Sequence, residues 1–487
     1  MKKALSFISA LALLATATSC GGSKSSTTDQ GNTGSSSSQT ESKKDDAGKS
    51  DGKKQTINLW SFTDEVPKMV DKYKTLHPEF ADKYDVKVTI VPTTDGAYQP
   101  ALDKALTGGG NDAPDMYCAE AAFVLKYTQG EMSSYAAPYK DLGIDVDNEI
   151  KAADIAQYTI DIGSKDGNVV GLGYQATGGA FIYRRSVAKA AFGSDDPKTV
   201  EEKIGAGTNS WDKFFECAEE LKGKGYGIVS GDGDIWHAVE NSSDTGWVVD
   251  GKLNIDPKRE AFFDLSKKLK DNGYHNDTED WQDGWFADMK GEGEKEVLGF
   301  FGPAWLVNYS MSDNCGSWKE TGEKDADGNP IKELDTSIGT YGDWAVCQPP
   351  IGFFWGGTWV LANKDSKVKE GVGELIDWIT LDCTKDGLQY MWANGTFNPA
   401  KPTKDCVASG TVLAMSDGKV DFLGGQDMFE AFAAGNKLAN GKNLTPYDEK
   451  INEKWRGQVR QYTAGNKSKE QAIKDFKQEV ADELDIH

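Results

Sequence analysis

Downstream of residue 55 the apolar positions alternate between two periods, and that alternation defines the opening elements. Ile57 to Trp60 reads as a short buried strand. From Asp64 to Leu76, Val66, Met69, Val70 and Tyr73 fall at i, i+3, i+4 and i+7, which predicts a helix capped by Thr63 or Asp64 and stopped at Pro78. Val86, Val88 and Ile90 alternate as a second strand, Tyr98 to Leu106 suits a second helix, and Asp115 to Cys118 opens a third strand after Pro114. The order is βαβαβ. It predicts an α/β body with a largely parallel sheet, and ligands belong at the carboxyl ends of such strands.

The helical period returns later. Ser210 caps a stripe of Phe214, Ala218 and Leu221, and Val372, Leu375, Ile376 and Ile379 form another. At the end of the chain Ser468 and Gln471 make a capping box ahead of Ile473, Phe476, Val480 and Leu484. These residues are read as core.

A different pattern rules the first 54 residues. A basic start, Met1-Lys2-Lys3, precedes an apolar run from Ala4 to Ala17 and then Ala17-Thr18-Ser19-Cys20. The run is too short for a resident membrane helix and resembles a bacterial lipoprotein signal, residues 1–19, cleaved before Cys20. That resemblance implies lipid on Cys20 and a protein anchored at the extracytoplasmic face of the cell membrane; an ordinary secretory signal with an incidental Cys20 is the alternative. From Gly21 to about Lys54 the chain is Gly, Ser, Thr, Lys, Asp, Gln and Asn with nothing apolar larger than Ala47, so residues 20–54 read as a flexible linker. Gly48-Lys49-Ser50 is not a phosphate loop, because Lys43 stands where that pattern needs its first Gly.

The 433 residues from Gln55 to His487 suffice for two lobes with separate cores. A net charge of −23 leaves no basic footprint, so no nucleic-acid partner is expected. Six cysteines follow Cys20: Cys118, Cys217, Cys315, Cys347, Cys383 and Cys406. They form no CxxC pair and no zinc framework. Cys217 belongs to an apolar helix face, and Cys315 and Cys347, which bracket a polar hairpin, are the best candidates for a disulfide. Asp325, Asp327 and Asn329 imitate a calcium loop, but Pro330 and Thr336 stand where it needs Gly and Glu, and a turn at Asp327-Gly328 is expected instead. Neither HExxH nor GxSxG occurs, and His77, His237, His275 and His487 are all the histidines.

A set of short motifs carries a resemblance over the whole chain after Gln55. In order they are Ile57-Asn58-Leu59-Trp60, Ala113-Pro114-Asp115-Met116, the stretch from Gly167 to Tyr174 with Tyr183-Arg184-Arg185, and Ser210-Trp211-Asp212. Gly302-Pro303-Ala304-Trp305, Gly356-Gly357 and the tail from Gly465 to Leu484 complete it. Their succession resembles the extracellular solute-binding proteins of carbohydrate ABC transporters, the maltose-binding-like group. The resemblance implies a two-lobed periplasmic-binding-protein-like fold of type II, its hinge crossed near 171–174, 355–358 and 398–404. Lobe 1 would hold 55–172 and 357–400, and lobe 2 would hold 173–356 and 401–487. It further implies a monomer without catalytic activity or cofactor, which delivers sugar to the transmembrane subunits of an ABC permease.

A sugar presents apolar C–H faces and a rim of hydroxyls, so its site needs flat aromatic surfaces and planar hydrogen-bonding groups. Of the 14 Trp, Trp60 follows the first strand, with Asp64 in the next loop; Trp60 also suits packing between strand and helix. Glu120 lies past the third strand, as a site group or a solvated carboxylate. Tyr174 stands at the first hinge crossing, and Trp236 follows Gly and Asp residues that suggest a loop. Trp305 follows the strand stop Gly302-Pro303 and matches a position that stacks on sugar in the family; a helix-start core Trp is the alternative. Trp355 and Trp359 flank Gly356 and Gly357, where backbone can approach a ligand, and one of the two rings is expected in the cleft. Competing classes are a lipid-anchored glycoside hydrolase, which needs two spaced carboxylates, and a binding protein for a peptide or polyamine.

Overall fold

The computed structural model describes residues 54–324 and 328–487. The expected signal, Cys20, the expected linker as far as residue 53, and Asp325 and Asp327 of the expected turn lie outside the described residues. The principal strands are β1 (Gln55–Ser61), β2 (Tyr84–Ile90), β3 (Met116–Glu120), β4 (Gly171–Gly173), β5 (Ala180–Arg184), β6 (Gly299–Gly302), β7 (Ser317–Lys324), β8 (Pro330–Asp335), β9 (Trp344–Cys347) and β10 (Thr358–Ala362).

One sheet has the order β2-β1-β3-β10-β4. Its first three strands are parallel, with Leu59 opposite Met116, as the βαβαβ pattern requires. Ile57 and Leu59 are buried while Asn58 and Trp60 are half-buried, the alternation of a strand covered mainly on one face. The intervening helix, Glu65–Leu76, buries Val66, Met69, Val70 and Tyr73. Asp64 takes its N-cap position without a side-chain capping bond and pairs with Lys68 at 2.7 Å instead. β10 then enters antiparallel between β3 and β4, so the sheet is mixed at that edge.

The second sheet, β6-β5-β9, is antiparallel throughout. Its core includes Phe181, Phe214, Cys217, Leu221 and Phe301, and extends to Trp247, Trp455 and Phe476 under the last two helices. In the final helix, Lys469–Leu484, Gln471 N–H donates to Ser468 Oγ at 3.2 Å. The Gln471 side chain donates forward to Asp475, so only half of the expected capping box forms.

Three chain segments join the sheets and lie side by side. Gly179 N–H donates to Phe353 O at 2.9 Å, Trp355 N–H to Thr177 O at 3.1 Å, and Ala176 N–H to Cys406 O at 3.2 Å. The approach is close enough that a Cβ on Gly179 would sit 1.9 Å from Phe353 Cζ. These bonds bring residues 176–179, 353–355 and 406 together. Ser409 Oγ donates to Ala153 O at 2.6 Å and Thr411 Oγ1 to Ala152 O at 2.7 Å. These bonds hold the stretch after Cys406 on the helix Val146–Ala153.

The expected Cys315–Cys347 disulfide does not form, and all six cysteines after Cys20 are free. The reason is topological: Cys315 packs in the apolar cluster of Met289 and Trp344, with its thiol donating to Met289 O, and Cys347 faces the cluster of Phe181 and Phe353. Among the described residues no helix is long and apolar enough to cross a membrane.

Candidate functional site

The registers bring several strand ends to the junction. Glu120, the last residue of β3, is opposite Thr358 at the start of β10, and Gly302, the last of β6, is opposite Ala180 at the start of β5. Gly302-Pro303 ends β6, and Trp305 leads into a π-helical stretch, Leu306–Met311, a widened turn of the kind common at functional sites. The half-buried Trp305 donates its indole N–H to Trp355 O at 2.9 Å, which ties the second sheet's loop to the middle connection. Gly356 and Gly357 follow with φ of +74° and +112°, conformations that favour glycine. A Cβ on Gly356 would stand 3.4 Å from Trp305 Nε1 and 3.6 Å from Glu120 Oε1, so aromatic ring, backbone and carboxylate converge there.

Four aromatic rings build on this point. Trp281 lies parallel to Trp305, with 6.0 Å between centroids and 10° between planes. Trp355 stands across both, 4.9 Å and 69° from Trp305 and 5.8 Å and 67° from Trp281. His237 stacks on Trp355 at 4.7 Å and 24°. Glu120 Oε2 accepts from Ala122 N–H at 2.7 Å, yet burial pushes its carboxyl up to about 7, against an ordinary 4.5. Such a group changes charge near neutrality.

A second polar patch adjoins the third connection. Glu65, in the first helical turn after β1, accepts a hydrogen bond from the Tyr174 hydroxyl, and burial raises its carboxyl to about 7. Asp405 is fully buried and accepts from Gln175 Nε2 at 2.6 Å, Cys406 N–H at 2.8 Å, and Trp392 Nε1 and Asn308 Nδ2 at 3.3 Å each. Burial pushes it up to about 6. Asn308 belongs to the π-helical stretch after Trp305, so Asp405 links that stretch to the first sheet's side.

Of the residues expected in the site, Glu120, Trp305, Trp355, Gly356 and Gly357 come together. Trp60 is half-buried against the cluster of Tyr98 and Phe123, and Asp64 is exposed in its pair with Lys68. Three expectations are corrected. Trp236 is 1% exposed inside the helix Gly233–Asn241, packed on Phe262, and not in a loop. Trp359 is equally buried and donates to Thr159 O at 3.0 Å, which leaves Trp355 as the ring at the junction. Tyr174 is buried too, and its hydroxyl donates to Glu65. Trp281, His237, Glu65 and Asp405 carry no expectation from the sequence. Trp281, flanked by Asp280 and Gln282, carried the same signal of a Trp among polar residues as the others; Glu65 and Asp405 carried none.

Two α/β lobes joined by three adjacent connections, with aromatic rings and carboxylates gathered at the join, define a binding protein of the two-lobed periplasmic class. The chain belongs to the bacterial extracellular solute-binding proteins, whose family model matches residues 68–416. Among solved structures it is similar to an extracellular solute-binding protein of family 1, with a TM-score of 0.66 at 16% identity over 88% of this chain and 99% of that one. It is also similar to the galacto-N-biose-/lacto-N-biose I-binding protein of an ABC transporter from Bifidobacterium longum, solved with lacto-N-biose. That TM-score is 0.62 at 17% identity, over 89% of this chain and 98% of that one. The sugar-binding protein MalE from Xanthomonas citri gives 0.59 at 15% identity, over 88% and 97%. Among curated protein sequences none matches.

Proposed function

We propose that this chain is the substrate-binding lipoprotein of a carbohydrate ABC importer, capturing an oligosaccharide between its lobes and delivering it to the permease. The observation that carries this reading is the gathering of Trp281, Trp305 and Trp355 with Glu120 around Gly356, at the junction of the two sheets. Flat rings match the apolar faces of a sugar, and the carboxylate matches its hydroxyls. Structurally similar proteins support it: they were solved with lacto-N-biose, β-1,6-galactobiose and cycloalternan. We assign Trp60, Asp64, Glu120, Trp305, Trp355, Gly356 and Gly357 to the cleft lining, with Tyr174 as support for Glu65. Lobe 1 comprises the first sheet with the helices on it, and lobe 2 the second sheet with the final helices.

The mechanism is capture by closure. Ligand that touches both lobes only when they are closed shifts the population toward that state by its differential affinity. No catalytic step or cofactor enters this reading. A lipid on Cys20 and the polar linker after it would keep the receptor beside its permease at high local concentration. The protein is read as a monomer.

The test is calorimetric titration of the full chain with lacto-N-biose, β-1,6-galactobiose, cycloalternan and maltotriose, followed by chromatography of the mixtures. Saturable heat with intact sugar is expected. Sugar products would mean a hydrolase, and no binding to any of the four would remove the carbohydrate reading in favour of another solute.

A further inference from the structure

Three observations single out Trp281. Its backbone has a φ of +65°, a left-handed conformation that crowds a bulky side chain. Strain of this sort persists where the surroundings enforce it, and it concentrates at ligand sites. Here the preceding residue is pinned, because Asp280 pairs with Arg456 at 2.7 Å in a partly buried setting. Second, the ring is 49% exposed despite touching Trp285, Phe286, Trp305 and Trp355, and among the described residues its indole N–H has no hydrogen-bond partner. Third, it lies parallel to Trp305, whose own indole is held by Trp355 O.

A pyranose held between two parallel rings needs about 7–8 Å between them, the sum of two carbon contacts of about 3.5–4.0 Å. The 6.0 Å between centroids is an upper bound on the spacing of the two planes and is short of that, and of the two rings only Trp305 is held by a hydrogen bond. Rotation of Trp281 outward into solvent breaks no hydrogen bond, while the Asp280–Arg456 pair keeps the backbone beneath it in place. We propose that Trp281 is the movable outer wall of a sandwich subsite, with Trp305 as its fixed inner wall and Trp355 closing one side. A ring of a neutral saccharide enters by displacing Trp281 from Trp305, so ring–ring contact is exchanged for ring–sugar contact. Glu120 beside Trp305 accepts from sugar hydroxyls and opposes an anionic sugar. The proposal rests on the carbohydrate reading above.

The test uses the full chain and the same four sugars. For each sugar that the wild type binds, Trp281→Ala is expected to weaken affinity by at least about tenfold, the weight of an aromatic anchor, and Trp281→Phe to recover most of it. Trp318→Ala, which removes a 53% exposed ring on β7 that donates to Asp313 O, should bind like wild type. Thermal melts of the variants confirm folding, since the Trp281 ring is half in solvent. Binding by Trp281→Ala within about twofold of wild type would overturn the proposal and leave the carbohydrate reading standing. Equal losses in Trp281→Ala and Trp318→Ala would overturn it as unspecific. Failure of the wild type to bind any of the four sugars would instead remove the reading beneath it.

Discussion

Replacing Asp405 with alanine probes the junction of the three connections, and its effect can be worked from the donors around it. Truncation leaves Gln175 Nε2, Trp392 Nε1 and Cys406 N–H without their acceptor in a buried setting, while Asn308 Nδ2 keeps Lys404 O at 2.6 Å. A buried donor without a partner costs about 1–3 kcal/mol, so three of them, partly relieved by water entering the vacated space, amount to about 3–6 kcal/mol. An opposing term depends on pH. Burial raises Asp405 from an ordinary 3.8 to about 6 in the folded protein, so the folded state binds its proton more tightly than the unfolded chain. The stability contributed by this group is therefore complete below 3.8 and is lost as pH rises through 6. Removing the side chain should hurt more at pH 5 than at pH 7.5, by about 1–2 kcal/mol. Urea unfolding followed by tryptophan fluorescence at the two pH values measures both quantities. A loss below about 1 kcal/mol, or one that grows with pH, would refute the reasoning.

Trp305→Ala should weaken binding of a recognised sugar by about 2–4 kcal/mol in calorimetry, whereas Trp236→Ala should cost about 3–5 kcal/mol of stability with affinity retained in the folded fraction. The reverse pattern would exchange their assignments. Glu120 has a folded value of about 7 against an ordinary 4.5, so its contribution to stability is complete below 4.5 and lost as pH rises through 7. Glu120→Gln should consequently lose more stability relative to wild type at pH 5 than at pH 8, and a pH-independent difference in urea midpoints would show the carboxyl to be solvated.

The local elements were legible because their cause is local. The 3.6-residue spacing of Val66, Met69, Val70 and Tyr73 and the alternation of β1 describe surfaces that a dozen residues settle by themselves. β10 was beyond such reading, because Val360 pairs with Cys118 across about half of the chain. In the site, Trp305 and Gly356-Gly357 were found through a strand stop and a glycine pair, which are local signals too. Trp236 reads as a loop residue because Gly233 precedes it, yet it lies within a helix. The glycine's lack of a side chain serves packing: a Cβ there would meet Asp280 Oδ1 at 1.6 Å, and the helix begins at that glycine. Glu65 could not be found, since the Tyr174 hydroxyl that holds it lies 109 residues further along the chain.

The unpaired cysteines give this protein a native set of opening reporters. Burial pushes the Cys118, Cys217, Cys315 and Cys406 thiols up to about 12, so at neutral pH almost none is the reactive thiolate. An alkylating reagent can reach them only when the surrounding structure opens, and the rate of reaction then reads the free energy of that opening. One sits in β3, one in the second core, one beside Met289 and one at the third connection, while half-buried Cys383 supplies a faster internal reference. Ligand that holds the connections together should slow labelling at Cys406 before it slows labelling at Cys217, which makes the order of protection a residue-by-residue record of how the two lobes share the work of closing.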